Sequence, residues 1–351
     1  MMDIHGFLRK NLLQRSLLSY ALYPLGELYA AIQATRRNHL AKSSYHAPCK
    51  VISIGNIVSG GSGKTPLTIA LVKMLSASGI RVAVSHRGYK GKFEHSPRII
   101  SNSQKVLYPA DVAGDEAHLI ASSLPGIPVV VGRKRKDAIR LLLKSYPNTQ
   151  VVVMDDAFQH ARVARDLDIV CFAAETGIGN GFVLPAGYLR ESLSALHLDC
   201  LAVVYRMQTN QLPNPWEQML NTQNIFHSYA TYQDCVDYTG EHFPLQSLIS
   251  KRIVLVSGIA NPSSFENVAK QLGLGYIHHY TFPDHYHFAD ANLPNTLLSE
   301  QPDIVLCTQK DIMKLALHPL LAPRLRALVL GYQFEDETGF LKMVLSKVQD
   351  S

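Results

Sequence analysis

The sequence predicts an α/β fold in two lobes, each built on a parallel sheet. Three observations carry the prediction. From Lys50 onward short apolar, β-rich runs alternate with helical stretches; a glycine-rich segment closing on Lys64-Thr65 follows the first run directly; and a second, shorter alternation begins near residue 253. Strands that are apolar along their whole length and separated by helices are buried on both faces, the signature of a parallel sheet between helical layers.

The first alternation comprises VISI (51–54), RVAVS (81–85), PVVVG (128–132), VVVMD (151–155), DIVCF (168–172) and LAVVY (201–205). Residues 207–250 carry Pro213, Pro215, Trp216 and many side-chain amides, and read as a connection. The second alternation comprises IVLVSGI (253–259), a helix from about Ser263 to Leu272, YIHHY (276–280), DIVLCT (303–308) and ALVLGY (327–332). The expected organisation is an N-terminal segment over 1–46, a nucleotide-binding domain over 47–225 and a smaller α/β lobe over 226–351. The second lobe is expected to complete a cleft, because ligands of such sheets sit beyond the carboxyl ends of the strands.

At 351 residues the chain exceeds the roughly 100–200 of one domain. Apolar residues at 47% against 18% charged exclude a disordered chain. A net charge of +6 suits an anionic partner without naming it. The basic run Arg133-Lys134-Arg135-Lys136 opens an amphipathic helix, so it reads as a solvated face and no nucleic acid is expected. Cys49, Cys171, Cys200, Cys235 and Cys307 are widely spaced with no C-x-x-C pair, which predicts buried thiols in a reducing compartment. No protein partner is evident.

The N-terminal segment repeats apolar positions at Phe7, Leu8, Leu12, Leu17, Leu18, Leu22, Leu25, Leu28, Tyr29 and Ile32, near helical spacing. Arg9, Lys10, Arg15, Arg36, Arg37 and Lys42 surround them. Its longest uncharged run, Ser16 to Gly26, falls well short of the about 20 residues that span a bilayer. Two readings stand: a basic amphipathic helix lying on an anionic leaflet, or a helix packed on its own domain with Pro24 marking a kink or a break. A cleaved signal peptide is disfavoured by Arg15 and Glu27 within the apolar stretch.

The sharpest motif is Val58-Ser59-Gly60-Gly61-Ser62-Gly63-Lys64-Thr65, between the strand VISI and the helical run PLTIALVKML. Glycines let such a loop wrap its backbone N–H groups around phosphates, the lysine reaches the β- and γ-phosphates, and the threonine hydroxyl reaches Mg²⁺. Val58 replaces the first glycine of the G-x-x-x-x-G-K-[ST] pattern, but the strand-loop-helix context supports ATP with Mg²⁺ and hence a P-loop NTPase-type sheet covered by helices on both faces. The metal needs a carboxylate at a neighbouring strand end, which Asp155 or Asp156 supplies; paired buried carboxylates repel each other without a cation.

The loop continues into Pro66, and the acidic pair into Asp155-Asp156-Ala157-Phe158-Gln159-His160. With Arg87-Gly88-Tyr89, Gly114-Asp115-Glu116, Leu184-Pro185-Ala186-Gly187, Leu189-Arg190-Glu191, Pro283-Asp284-His285 and Thr308-Gln309-Lys310-Asp311 in that order, the chain resembles the tetraacyldisaccharide 4′-kinase family. It departs from that family's usual residues at Ala157 and Lys90 (glycine), Ala117 (proline) and Gln309 (glutamate). The resemblance implies an ATP-dependent lipid kinase of lipid A biosynthesis, membrane-associated on the cytoplasmic face of the bacterial inner membrane. Its substrate would be a lipid A disaccharide 1-phosphate, phosphorylated at the 4′ hydroxyl.

The resemblance also assigns roles. Asp115 matches the family's catalytic carboxylate and His285 the histidine paired with it; Arg190 matches an arginine near the transferred phosphate, Glu116 is metal-directed, and Arg87 is a candidate substrate contact. Each has a plainer reading. Asp115 before a helix is a natural N-cap. Arg190 can pair with Glu191 or Asp199, and Arg87 can form a surface ion pair. The string His278 to His287 can bind a transition metal. Gly177-Ile178-Gly179-Asn180-Gly181 mimics a dinucleotide loop, but no helical pattern follows it directly.

Two other functions compete. A regulatory P-loop ATPase or GTPase is disfavoured because Thr308-Gln309-Lys310-Asp311 has its lysine one place late for guanine recognition. A membrane-tethered nucleotide sensor would not need Asp115, His285 and Arg190.

Overall fold

The structure, a computed structural model, describes residues 12–59, 62–196, 200–206, 214–220, 222, 224–259 and 261–349. It divides into two compact units: one runs to Ala230 and takes up the chain again from Tyr332, the other is Thr231–Gly331.

In the first unit, helix α1 (Leu17–Ala41) precedes β1 (Lys50–Gly55), α2 (Lys64–Ala77), β2 (Val82–His86), β3 (Arg98–Ser101), α3 (Ala110–Ala113), α4 (Asp115–Ser123), β4 (Val129–Val131), α5 (Arg135–Ser145), β5 (Val151–Met154), β6 (Leu167–Ala173), β7 (Leu201–Arg206) and the start of β8 (Ile225–Val236). The strands run in the order β8-β7-β6-β1-β5-β2-β4-β3, parallel except that β3 is antiparallel to β4. The chain leaves β1 toward β2 on one side and returns from β5 to β6 on the other. This reversal opens the ligand crevice at the carboxyl end of β1, where the glycine-rich loop lies.

Alternation along each strand divides the core between the two faces. Ile52 and Ile54 of β1 pack with Leu67, Leu71 and Leu75 of α2, whereas Val51 packs with Ala138, Ile139 and Leu142 of α5.

In the second unit β9 (His242–Pro244) pairs antiparallel with the end of β8. The elements β10 (Ile253–Ser257), α6 (Pro262–Gln271), β11 (His278–Thr281), α7 (Leu293–Leu298), β12 (Ile304–Thr308), α8 (Ile312–Leu315) and β13 (Leu325–Phe334) follow, with the parallel order β11-β10-β12-β13. Val254, Val256, Val305 and Cys307 form its core with Leu297, Leu315 and Phe288.

The sequence division places everything after residue 225 in the second lobe. The last helix, α9 (Glu337–Gln349), instead lays Phe340, Val344 and Val348 into the α2 core of the first unit. Its periodicity shows that one face is buried but not against which sheet. The stretch 207–250, read as a connection, holds β8 and β9; the mixed burial of β8 gives neither a continuous apolar run nor a clean alternation.

Helix α1 passes through Pro24 without a break and is capped by Ser16, whose side chain accepts from the Ser19 N–H at 3.1 Å. Its two fully buried residues are small, Ser19 and Gly26, and a Cβ on Gly26 would stand 2.8 Å from the Val183 carbonyl oxygen; Tyr29 and Ala30 pack on the same side. A stripe of bulky apolar residues points outward, with Leu17 91%, Leu25 55%, Leu28 59% and Ile32 55% exposed. No helix among the described residues is long and apolar enough to cross a membrane.

Candidate active site

The site begins with the turn from β1 into α2. Gly63 caps α2 at φ +74°, and a Cβ there would stand 3.0 Å from the Tyr205 ring, so only glycine fits. No side chain caps the helix and its first turn holds no acid, which leaves the first N–H groups and the positive end of the helix dipole for an anion. Val58 is buried and Ser59 half-buried, while Gly60 and Gly61 lie outside the described residues. The Ser62 hydroxyl is buried with no partner among the described residues, a polar atom that a phosphate would satisfy.

Asp155 closes the other side. It extends from the end of β5, is 1% exposed, and accepts from the Thr65 hydroxyl at 3.2 Å and the Thr68 hydroxyl at 2.8 Å. Burial pushes its carboxyl pKa upward; Glu116 and Asp156 add to this, and His86 and the Thr68 hydrogen bond oppose it. An acidic cluster strained in this way is relieved by a cation, and Mg²⁺ needs only one or two protein oxygens beside those of phosphate and water. Asp156, at φ +48°, turns away and pairs with Lys64 Nζ at 3.4 Å. The donors and acceptors therefore fit a nucleotide triphosphate and a divalent ion, with Asp155 nearer to Thr65 and Asp156 to Lys64.

Two residues here escaped sequence reasoning. His86, at the end of β2 and 2% exposed, has Nε2 3.6 Å from a Glu116 carboxylate oxygen and 3.8 Å from one of Asp155. Its Nδ1 accepts from the Gly88 N–H at 2.9 Å, so a neutral ring carries its proton on Nε2, facing both acids. The available signal was its place at the carboxyl end of a parallel strand. Arg135 belongs to the run read as a solvated face, yet it is 2% exposed and donates to the Asp155 carbonyl at 2.7 Å. Burial lowers its pKa to about 10, against the pull of Asp155 and Asp156, and it stays charged at neutral pH.

Asp115 opens α4, but the N-cap is Gly114 at φ +92°, and no side chain makes the capping bond. Asp115 therefore lies in the first turn of α4 and not at the N-cap itself. A Cβ on Gly114 would stand 2.8 Å from the Tyr89 carbonyl oxygen, so the Arg87-Gly88-Tyr89 loop and the start of α4 lie in contact. Lys90 holds φ +60°, a left-handed conformation that glycine enters with less strain.

Arg190 lies beside the loop: its N–H donates to the Ile57 carbonyl at 2.7 Å, Leu189 bridges Val58, and the Ser59 N–H donates to the Tyr188 carbonyl at 3.0 Å. The pairing expected with Glu191 does not occur, because Glu191 is held by Arg37 at 2.7 Å; Asp199 lies outside the described residues. Arg87 does form the surface ion pair, with Glu94 at 2.8 Å.

In the second unit the Pro283-Asp284-His285 turn is pinned at the carboxyl end of β10. The His285 N–H donates to the Gly258 carbonyl at 3.2 Å, Lys314 Nζ donates to the Tyr286 carbonyl at 3.2 Å, and His318 bonds the Phe288 carbonyl at 2.6 Å. His285 itself sits at φ +63° with Nε2 3.8 Å from Asp284. Nearby His279 is engaged by Ser257 at 2.9 Å. Among the described residues no three of His, Cys, Asp and Glu converge as a metal site. Gln309 is structural, accepting from the Leu330 N–H at 3.0 Å.

The sequence profile of the tetraacyldisaccharide-1-P 4'-kinase family matches residues 18–349. The tetraacyldisaccharide 4'-kinase of Pelobacter propionicus is 36% identical over 315 residues, spanning 88% of this chain and 86% of that protein. Its counterpart from a Polaromonas species is 36% identical over 337 residues, spanning 93% and 92%. The crystal structure of LpxK from Aquifex aeolicus in complex with ATP superposes with a TM-score of 0.77 at 27% identity, covering 95% of this chain and all of that one.

Proposed function

The chain belongs to the tetraacyldisaccharide 4'-kinase family, and from that membership we infer that it is the ATP-dependent kinase that phosphorylates the 4′ hydroxyl of a tetraacyldisaccharide 1-phosphate in lipid A biosynthesis. The observation that carries the reading beyond family likeness is the hydrogen bond joining Thr65, at the start of α2, to the buried Asp155 at the end of β5, beside a glycine-capped helix N-terminus. ATP with Mg²⁺ supplies the γ-phosphoryl group and the positive charge that offsets its oxygens. Lys64 and the α2 amides would hold the phosphates, while Thr65 and Asp155, with Asp156 and Glu116 near, would hold the metal side.

Asp115 accepts the proton of the 4′ hydroxyl as that oxygen bonds to phosphorus and the bond to the ADP leaving oxygen breaks; His285 orients and tunes this base. Arg190 offsets charge on the transferred group, a planar cation suiting phosphate oxygens. Arg87 contacts substrate only if it leaves Glu94. The outward apolar stripe of α1 supports a peripheral or monotopic seat on the anionic cytoplasmic face of the inner membrane, where the acyl chains of the substrate reside. A regulatory ATPase or GTPase has no support in the comparisons.

The test is direct. Purified protein with γ-labelled ATP and a tetraacyldisaccharide 1-phosphate in detergent should transfer label to the 4′ position. Label appearing only as free phosphate would overturn the kinase reading.

A further inference from the structure

One guanidinium ties three segments of the first unit together. Arg37, on the body-facing stripe of α1, donates from Nη1 to the Glu191 carboxylate at 2.7 Å and from Nη2 to the Phe158 carbonyl at 3.0 Å, and it lies 4.2 Å over the Phe158 ring. Its side chain is 13% exposed and that of Glu191 8%, so this is a desolvated pair and not a surface one.

Both partners lead to the site. Phe158 follows Asp155 and Asp156 by a short turn and is fully buried; a Cβ on Gly55, the last residue of β1, would stand 2.5 Å from Phe158. Glu191 is the neighbour of Arg190, whose own N–H is held by the carbonyl of Ile57, the residue just before the phosphate loop. Arginine suits this place because a rigid fork satisfies a carboxylate and a carbonyl at once, which a lysine cannot.

We propose that Arg37 is a positioning residue for phosphoryl transfer: through Glu191 it fixes Arg190, and through Phe158 it fixes the Asp155–Asp156 turn, both against the phosphate loop. The Arg190 limb rests on the role given to Arg190 above. A consequence is that the seating of α1 is mechanically joined to the reacting centre, since the residue that docks the helix also sets the turn and the arginine.

Removing Arg37 alone strands a buried carboxylate and risks the fold. The decisive variant is therefore R37M/E191L, in which an apolar pair of similar volume replaces the ion pair; such replacements are often neutral or stabilising. Its thermal midpoint should stay near that of the wild type and its equilibrium affinity for ATP should change less than about threefold, while kcat at saturating ATP and acceptor falls about ten- to a hundredfold, as small misplacements of reacting groups do. R37K should fall between the two. Adding R190A to R37M/E191L should cost several-fold less than R190A costs in the wild type.

Wild-type kcat in a folded R37M/E191L protein overturns the proposal. If R190A is inactive while R37M/E191L is fully active, the Arg190 role stands and Arg37 is merely structural. If R190A is fully active, the Arg190 limb and the role it rests on both fail. Losses that multiply fully between R37M/E191L and R190A overturn the Arg190 limb alone.

Discussion

The Thr65 hydroxyl donates to Asp155 Oδ2 at 3.2 Å, which fastens the first turn of the phosphate-loop helix to the end of the neighbouring strand. Lys64 reaches Asp156 in the same two segments at 3.4 Å. Neither side chain holds the core. Lys64→Ala and Thr65→Ala should therefore each abolish transfer while moving stability by no more than about 1 kcal/mol, the scale of a partly exposed ion pair or one hydrogen bond. Turnover at saturating ATP and Mg²⁺, compared with the thermal midpoint of each variant, checks this; near wild-type turnover in either would remove the loop from the mechanism.

His160 gives a pH dependence with a definite sign. Burial pushes its pKa down to about 4, with Arg135, Arg165 and Arg162 acting in the same direction. Its folded pKa lies below the unfolded value near 6.5, so the unfolded chain takes up a proton first as pH falls. The stability from neutral His160 is full above about pH 6.5 and is lost progressively down to about pH 4, by at most about 3 kcal/mol. Urea unfolding of the wild type and His160→Gln at about pH 7.5 and about pH 5 should show the wild type losing more on acidification. An equal loss in both would assign the acid lability elsewhere.

Much of this was legible in the sequence because it is local. Each β-rich run that flanks the loop is a strand within one or two residues of its expected ends, and Gly63, Lys64, Thr65 and Asp155 fall where strand-loop-helix logic puts them. What was not legible depends on tertiary placement. Arg135 sits in a run of four basic residues that looks solvated, and only the fold reveals that it points under Asp155. His86 carries no motif of its own, and its tautomer depends on an N–H two residues away. The partner of Glu191 is 154 residues distant, on a helix that the sequence describes only by its apolar spacing.

Helix α1 should bind anionic vesicles by its outward stripe. Leu25 and Leu28 are each more than half exposed, and burying a leucine contributes about 1.5–3 kcal/mol. Leu25→Glu/Leu28→Glu should reduce vesicle co-sedimentation by at least about tenfold without lowering the thermal midpoint, because neither side chain packs on the body. Salt should weaken binding of the wild type to anionic vesicles. Arg15 lies over the Phe182 ring and donates to the Asn180 carbonyl, both uncharged partners, and Arg9 and Lys10 lie outside the described residues. Binding unchanged by the double substitution would assign membrane contact to another surface.

The base proposed for the reaction is the most exacting part. Asp115 opens α4 directly after the Gly114 cap, and its sequence neighbour Glu116 stands 3.6 Å from His86 Nε2. His285 is held at φ +63° in a turn where its own N–H donates to the Gly258 carbonyl and the Pro283 carbonyl accepts from the Tyr286 N–H, an arrangement that fixes a side chain at the cost of backbone strain. A positioned base contributes on the order of 10²–10⁴ in rate, so Asp115→Asn should lose about that much turnover with little change in ATP affinity. His285→Ala should lose less, since it acts through the carboxylate. If the two work as a unit, the double variant is only slightly worse than Asp115→Asn, because a partner has nothing left to orient. Turnover of both singles and the double, with ATP and lipid saturating, decides between the possibilities: fully multiplicative losses separate His285 from Asp115, and an active Asp115→Asn moves the base elsewhere.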